Sequence, residues 1–362
     1  MPTWTCITPT QATRTRYNEI PKYAEGLYDL GQGVYAWLVP NGSWGESNAG
    51  LIVGERESLL VDTLWDLKYT RAMLDAMRPF TEPAPLRYVV NTHADGDHFW
   101  GNELVATAET ITSEASHAEM QTLHSKSMIL MKIVGKVLSA IKIAGADRAG
   151  HWLQQLVAPY DFRAVTATPA RRTFQGNLSL TVGGRAVELI EVGPAHSQGD
   201  SMVYLPEAKI LFAGDMLFIG STPVMWAGPI EKWFAALERI LAMDVDLIVP
   251  GHGPLTDKSG VHQVRAYWEF VVAQVRTRYD KGLSAKAAAH EIAHSSDFMR
   301  QPFALWNSPE RLVVSAYTLY RNWRGNFKHR TPLEMLDMMI KQGILAHELL
   351  DAQPAIMRRK VK

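Results

Sequence analysis

Short apolar runs separated by turn residues fill the first part of the chain. Between Gly33 and Thr63 these runs are rich in β-branched and aromatic residues, which is typical of strands. Strands are predicted over Val34–Val39, Leu51–Val53 and Ser58–Val61. Asp66 then begins a stretch with apolar residues at helical spacing, which predicts a helix that ends at Pro79. The next apolar run, Leu86–Asn91, predicts a buried strand.

The strand pattern returns after a helical segment and stops near Asp257. Residues 113–160 favour helices and are rich in Met, Leu and Ile. Further elements follow: strands over Leu178–Val182, Ala186–Val192, Met202–Leu205 and Ile210–Ala213, a helix over Glu231–Ala242, and a strand over Asp246–Val249. After Asp257 only helices are predicted, one of which begins with Ser308 as N-cap and Pro309 in its first turn. The sequence therefore predicts an α/β domain over residues 1–256, with a helical insertion at about 113–160, and a helical C-terminal extension over 257–362.

Composition narrows the class of partner. Of the 362 residues, 47% are apolar and 20% are charged, proportions typical of a globular protein with a sizeable core. The 37 basic residues balance the 37 acidic ones, so the chain lacks the overall positive charge of a general nucleic-acid binder or anionic-membrane binder. A small molecule is therefore the expected partner.

Two features bear on the cellular compartment. Cys6 is the sole cysteine, so an intrachain disulfide cannot form. The first residues lack the basic and apolar regions of a secretory signal, which predicts a cytoplasmic protein. The longest apolar stretch, residues 128–144, contains three lysines, too many for a membrane span. No membrane partner is expected.

Seven histidine and aspartate side chains follow predicted strands. Four lie within six residues, directly after the Leu86–Asn91 strand: His93, Asp95, Asp97 and His98. The other three come at the ends of later strands, beside or close to glycine: His196, Asp215 and His252. A polar loop that caps a helix would explain the first four. It would not explain why the other three also follow predicted strands. Imidazole and carboxylate are ligands for zinc, manganese and iron, so the pattern predicts a metal centre. Gly96 is expected to allow a backbone conformation there that other residues resist.

This order of residues resembles the metallo-β-lactamase superfamily, in which the motif H-x-H-x-D-H precedes an isolated His, an isolated Asp and a final His. The resemblance covers about Gly33 to Gly253 and implies a four-layer αββα sandwich with two divalent metal ions, most simply zinc. By position it implies a first metal on His93, Asp95 and His196, a second on Asp97, His98 and His252, and Asp215 as a bridge. Asp62 would orient the loop from behind these ligands.

The resemblance implies a hydrolase that uses a metal-bound hydroxide. A metal lowers the pKa of bound water to about 7, and Asp97 would be the catalytic residue that accepts a proton from the nucleophile. Fold and metals do not fix the substrate, which could be an ester, thioester, lactone, sulfate ester or aryl halide.

Asp95 departs from the motif, which has histidine at this position. A carboxylate is a harder ligand than imidazole and shifts preference toward iron or manganese. Flavodiiron oxidoreductases of the same superfamily also use a carboxylate there, so a redox or non-hydrolytic metal-binding protein is the alternative. Those proteins carry a flavodoxin-like domain, whose alternating strands the segment after Asp257 does not show.

A second motif, His290-Glu291-Ile292-Ala293-His294, matches the H-E-x-x-H pattern of zinc peptidases. The two histidines would share one face of a helix, and Glu291 would act as the base. No third histidine follows at the extended spacing, and Glu310 is the obvious nearby third ligand. Chance occurrence on a solvated helix is the competing explanation.

Three tryptophans, Trp44, Trp100 and Trp226, are close in sequence to the ligand-bearing loops and are candidates for a substrate pocket; core packing is the alternative for each.

The insertion is too apolar for one exposed helix, which indicates a lid, core packing or a homodimer interface. Because no cluster of Arg or Lys accompanies the ligand loops, a neutral, largely apolar substrate is expected.

Overall fold

Two β-sheets form the centre of the molecule. The computed structural model describes residues 4–143 and 145–349, so both outer limits of the predicted domains lie outside the described residues. The first sheet contains β1 (Cys6–Pro9), β2 (Gly26–Asp29), β3 (Val34–Leu38), β4 (Ala49–Val53), β5 (Ser58–Val61), β6 (Leu86–Val90), β7 (Glu109–Ser113) and β8 (Arg172–Phe174), in that order. Its pairs are antiparallel up to β5 and parallel from β5 to β8.

The second sheet is mainly antiparallel. It contains β9 (Asn177–Val182), β10 (Arg185–Glu191), β11 (Ser201–Leu205), β12 (Ile210–Phe218) and β13 (Leu247–His252), in the order β13-β12-β11-β10-β9. Only β12 and β13 run parallel to each other. The described helices are α1 (Leu67–Thr81), α2 (Gly96–Phe99), α3 (Glu114–Met120), α4 (Lys126–Ser139), α5 (Ala146–Val157), α6 (Ile230–Ala242), α7 (Lys258–Asp280), α8 (Ala285–Ala293), α9 (Ser296–Met299), α10 (Leu312–Trp323) and α11 (Pro332–Ala346).

Alternating side chains of each strand face different layers. In β3, Val34 and Ala36 pack against the second sheet, while Tyr35 and Trp37 belong to the cluster that contains Met73 of α1. The outer face of the second sheet packs on α6 and α7 in a further apolar cluster. Both faces of each sheet are therefore buried, and the predicted four-layer αββα sandwich is confirmed.

Two predicted helix boundaries were wrong. Asp66 caps α1 by accepting a hydrogen bond from the Tyr69 N–H, as expected, but the helix continues through Pro79 to Thr81. A proline this near the C-terminus removes only one hydrogen bond, and the last turn still closes. Ser308 is not an N-cap: its φ of 63° is left-handed, its side chain makes no capping bond, and a 3₁₀ turn precedes α10. A capping residue needs extended backbone angles, which Ser308 lacks.

The helices after Asp257 are not separated from the sandwich. Val264 and Trp268 of α7 share one apolar cluster with Leu211 and Ile248 of the second sheet. A domain boundary at 256/257 therefore stays a prediction. Within residues 258–349 every strand or helix assigned is a helix, so the described part of the extension contains none of the strands of a flavodoxin-like domain. Over the described ranges, none of the helices combines the length and the apolar character needed to cross a bilayer.

The insertion forms three helices, α3 to α5, as the sequence indicated. Helices α4 and α5 approach closely at Gly135 and Gly150, where a Cβ on Gly150 would lie 2.3 Å from the Ser139 nitrogen. One side of α4 packs through Met128 and Met131 into an apolar cluster. The other side leaves apolar side chains exposed: Leu130, Ile133 and Val137. A lid and an interface both stay predictions for this segment.

A buried charged cluster attaches the N-terminal segment to the loop that carries Trp44. The Arg16 guanidinium donates to Glu25 at 2.8 Å and to the Gly45 carbonyl at 3.1 Å. Glu46, fully buried beside this cluster, accepts a hydrogen bond from the Ser43 N–H. Burial raises the pKa of Glu46 to about 8, although Arg16 opposes the shift. The folded protein thus keeps Glu46 protonated at pH values at which the unfolded chain has already released this proton.

The wild type should therefore lose stability as the pH rises, and Glu46→Gln should not show this loss. The ordinary pKa of glutamate is 4.5, so the wild type loses stability between that pH and about 8 and then levels off. The difference at pH 9 is on the order of a few kcal/mol. Thermal unfolding of both proteins from pH 5 to 9 measures it, with exposed Glu207→Gln as the control. Parallel curves for wild type and Glu46→Gln would contradict the protonated state of Glu46.

Candidate metal centre

The loop after β6 is held from behind by Asp62. The Asp62 carboxylate accepts hydrogen bonds from the Thr92 N–H at 2.7 Å and the Thr92 hydroxyl at 2.8 Å. Its Oδ2 lies 2.9 Å from His98 Nδ1, which leaves His98 Nε2 directed away from Asp62. His93 Nδ1 lies 3.0 Å from the Thr92 hydroxyl. Asp62 thus fixes the orientation of both ends of the histidine loop.

His196 is fixed by its own loop. Its Nδ1 donates to the Val224 carbonyl at 2.7 Å, which leaves Nε2 as the nitrogen with the lone pair. The loop itself is closed by Asp200, which accepts hydrogen bonds from the Ala195 N–H and from the N–H and hydroxyl of Ser197. Burial raises the pKa of Asp200 to about 6.

Asp215 lies inside β12, whereas the sequence placed it at the end of a strand. The strand continues to Phe218 because β12 pairs with β13 through an irregular register between Gly214 and Phe218. Gly251 on β13 makes room for the carboxylate, since a Cβ there would lie 1.9 Å from Asp215 Oδ1. His252 ends β13, and its ring stacks on Phe218 with centroids 5.0 Å apart.

Four imidazoles converge on the Asp215 carboxylate. Their Nε2 atoms lie close to one of its oxygens: His98 at 3.2 Å, His196 at 3.4 Å, His252 at 3.4 Å and His93 at 3.8 Å. The ligand atoms form two compact groups, His93 with His196 and Asp215, and Asp97 with His98 and His252. Within each group the atoms lie within 4.8 Å of one another. All seven predicted ligands therefore lie in one region.

The charges in this cluster are strongly coupled. Burial raises the pKa of Asp215, but the four histidines outweigh burial and hold this pKa well below its usual value. Burial lowers the pKa of His98, but the neighbouring carboxylates, Asp215 first, raise it well above its usual value. By contrast, burial and the nearby His98 hold the pKa of His93 well below its usual value. Protons on the histidines balance the negative charge of the buried carboxylates in this arrangement. Divalent cations can balance the same charge.

Asp95 lies at the edge of the cluster. Its Oδ2 lies 3.1 Å from His196 Nε2 and 4.0 Å from His93 Nε2. The same oxygen accepts a hydrogen bond from the Trp226 indole N–H at 3.0 Å. Asp95 is also the more exposed side chain of these pairs, at 29%. Trp226 thus contacts a predicted ligand directly, which places it at the site.

The other two tryptophans have different environments. Trp44 is partly exposed. Its ring packs edge-on against Trp152, and its centroid lies 6.3 Å from that of Trp226. Trp100 is 3% exposed and packs against Phe162, so it supports the histidine loop from below. Gly96 is required for this packing rather than for an unusual backbone: a Cβ on it would lie 2.6 Å from the Trp100 ring. The expectation of a special φ at Gly96 was wrong.

Two arginines that the sequence did not indicate lie behind these loops, Arg311 buried and Arg330 partly buried. The Arg311 guanidinium lies 4.5 Å above the Trp44 ring and 5.4 Å from that of Phe218, and it donates to the Ser221 hydroxyl and the Thr222 carbonyl. Arg330 donates to the Trp226 carbonyl at 2.7 Å. These are two separate arginines whose guanidinium groups donate to protein atoms, so the expectation that no cluster of Arg or Lys accompanies the ligand loops stays a prediction. Both residues come from the C-terminal helical part, where a regular helical pattern gives no sign of them.

The H-E-x-x-H motif lies elsewhere, on the exposed face of α8. Glu291 pairs with Arg278 at 3.1 Å and not with the histidines. Glu310, the expected third ligand, is buried and lies 3.4 Å from the Trp44 indole nitrogen. The predicted arrangement of a zinc peptidase is therefore wrong in two of its parts.

Relatives of known sequence match large parts of the chain. The chain is 25% identical over 208 residues to the 2,4-dinitroanisole O-demethylase subunit alpha of Nocardioides sp. (strain JS1661), covering 56% of this chain and 51% of that protein. It is 23% identical over 287 residues to a linear primary-alkylsulfatase of Pseudomonas sp. (strain ATCC 19151), covering 73% of this chain and 54% of the relative. The chain spans about half the length of these two relatives.

Solved structures show the same fold. A stereoselective inverting sec-alkylsulfatase from Pseudomonas sp. superposes with a TM-score of 0.59 at 17% identity, over 88% of this chain and 53% of that one. A metallo-beta-lactamase family protein from Thermus thermophilus gives 0.56 at 17% identity, over 82% and 95% of the two chains. The sequence profile described as the metallo-beta-lactamase superfamily matches residues 42–252, the segment that contains all seven converging side chains. Because this match spans more than half of the sequence and agrees with the observed fold, the chain belongs to the metallo-beta-lactamase superfamily.

Proposed function

We propose that the protein is a hydrolase that depends on two divalent metal ions. The observation that carries the proposal is the convergence of four imidazoles and three carboxylates at the ends of both sheets. The buried His93 Nε2 makes no hydrogen bond within the described residues, and the buried His98 Nε2 and Asp215 Oδ1 have only each other, at 3.2 Å. Buried polar atoms in native proteins are normally satisfied, so these atoms fit metal ligands.

The donor set fits two ions. His93, His196 and Asp95 would hold the first, Asp97, His98 and His252 the second, and Asp215 would contact both. Imidazole and carboxylate ligands suit zinc, and the carboxylate of Asp95 in place of histidine also suits iron or manganese. Zinc is the metal we propose first.

Bound divalent ions supply Lewis acidity and an activated water at neutral pH. The chain's own residues hold and orient this chemistry. Asp62 and the Val224 carbonyl fix which nitrogen of His98 and of His196 faces the centre. Asp97 Oδ2 lies 3.4 Å from His252 Nε2, and in our proposal Asp97 accepts the proton that the attacking nucleophile releases. The four histidines and Asp215 are buried, which excludes bulk water from them, whereas Asp95 lies at the exposed edge.

The substrate we propose is a small molecule with an apolar part joined to an ester group, a sulfate ester first. Trp226 contacts Asp95 at the exposed edge of the cluster, and Trp44 lies beside Trp226. These two rings give this open side of the site an aromatic border. Arg311 interacts electrostatically with Glu310 first and then with Asp215 and Asp97, so its positive charge offsets part of the negative charge around the site. The names of the two alkylsulfatases support the same class of substrate.

The experiment that tests this function combines metal analysis with substrates. Protein purified without chelators should contain close to two tightly bound metal ions per chain, both in the central cluster. It should hydrolyse at least one member of a panel of alkyl sulfates, carboxylic esters, thioesters, lactones and aryl halides. Removal of metal should abolish the activity, and zinc should restore it. Oxygen consumption with a reductant and no hydrolysis would favour the redox alternative instead.

A separate variant tests whether the H-E-x-x-H motif takes part in turnover. His290→Ala combined with His294→Ala should leave kcat/KM within about twofold of the wild-type value, because both side chains are exposed and lie outside the central cluster. The kinetics of hydrolysis measure this directly. Loss of turnover in the folded double variant, with retention of turnover in His93→Ala, would transfer the chemistry to α8.

A further inference from the structure

The exposed face of α8 and the segment after α11 bring together three metal-binding side chains outside the central cluster. His290 Nε2 lies 2.8 Å from Glu348 Oε2, and the His290 and His294 rings are 4.4 Å apart. One ligand atom from each of His290, His294 and Glu348 lies within 4.8 Å of the others. This group uses the two histidines of the H-E-x-x-H motif but neither of the glutamates that the sequence suggested.

The histidines are prepared for a metal by their spacing and by a hydrogen bond. Residues four apart on a helix share one face. His294 Nδ1 donates to the His290 carbonyl at 2.8 Å, which leaves the lone pair on His294 Nε2. Zinc–nitrogen and zinc–oxygen bonds of about 2.0–2.2 Å require ligand atoms closer together than 4.8 Å, and exposed side chains can make this small adjustment.

We propose that His290, His294 and Glu348 form a second, peripheral site for one divalent transition-metal ion, with zinc as the first candidate. Two imidazoles and one carboxylate, with water as the fourth ligand, match the tetrahedral preference of zinc. Glu291 is held away by Arg278, so the site lacks the base of a peptidase and is structural. Arg148 lies 3.9 Å from Glu348 Oε1 and competes weakly for the same carboxylate.

An ion at this site would attach the end of α11 to α8. Helix α11 packs on α5, and its Met335 and Met339 belong to the cluster that also contains Trp44 and Trp226. The ion would therefore stabilise the helix that supports the aromatic border of the central site, while contacting none of the central ligands.

Zinc titration of the purified holoprotein tests this proposal. With the central site already loaded, the wild type should bind one zinc ion more than the double variant His290→Ala/His294→Ala, with a Kd in the micromolar range. Glu348→Gln should weaken this extra binding at least tenfold. His262→Ala, which removes an exposed histidine from another helix, should bind as the wild type does.

Thermal unfolding gives a second readout that a loosely attached ion would not change. Added zinc should raise the Tm of the wild type more than that of the double variant, because only the wild type can connect α11 to α8. Equal zinc stoichiometry in the wild type and the double variant would overturn the proposal. Unchanged affinity in Glu348→Gln, or zinc binding without a difference in Tm, would overturn it as well.

Discussion

Protein carrying His252→Ala should contain about one metal ion per chain and lose at least about 100-fold in kcat/KM. The outer partners of metal ligands are worth about 10–100-fold, and a direct ligand is worth more. His252 Nε2 lies 3.4 Å from both Asp97 and Asp215, so its loss opens the second group of ligands while His93 and His196 stay in place. Elemental analysis of the variant and its kinetics on the best substrate measure both effects.

Two controls make this result specific. His124→Ala removes an exposed histidine from the insertion and should leave metal content and turnover unchanged. Asp97→Ala should resemble His252→Ala in metal content, because both belong to the same group of ligands. A wild-type protein with one tightly held ion and full activity would show that the centre is mononuclear.

The sequence was informative about which candidate ligands converge, because their positions depend on local rules. Side chains that follow parallel strands meet at one edge of a sheet, and His93, Asp97 and His98 follow such a strand directly. Glycine beside or close to the later candidate ligands was also informative, since Gly251 is needed for the approach of Asp215. The α/β class and a set of candidate ligands could therefore be predicted from order and spacing, whereas the αββα arrangement was implied by the resemblance to the superfamily.

Features that depend on tertiary packing could not be predicted in this way. Arg311 follows Trp44 by more than 200 residues in the chain and lies next to it because the tertiary fold places the guanidinium between the Trp44 ring and Phe218 at the end of β12. Ser308 has the residue type of a cap but a left-handed backbone, because the chain must turn there before α10. The place of Gly96 was predicted correctly, but the reason is the Trp100 ring and not the backbone angle.

Trp44 is the side chain through which apolar substrate bulk should be recognised. Its ring is partly exposed, packs against Trp152 and Trp226, and is held by Arg311 on one face. An alkyl chain that covers this ring gains about 0.8 kcal/mol for each buried CH₂ group. The wild type should therefore prefer the longer of two alkyl sulfates that differ only in chain length.

Trp44→Ala should reduce this preference about tenfold in kcat/KM, since about 1.4 kcal/mol of apolar contact corresponds to a factor of ten. Trp44→Phe keeps an aromatic ring but cannot donate to Glu310, so it should retain most of the preference if contact area, and not the indole N–H, recognises the chain. Steady-state kinetics of the three proteins on matched pairs of alkyl sulfates and of carboxylic esters separate these effects. Faster turnover of a phosphodiester, or no dependence on chain length in the wild type, would contradict an apolar pocket at Trp44. If the preference survives in Trp44→Ala, the apolar contact lies elsewhere on the open side, and Trp226 is the next side chain to replace because its ring lies 6.3 Å from that of Trp44.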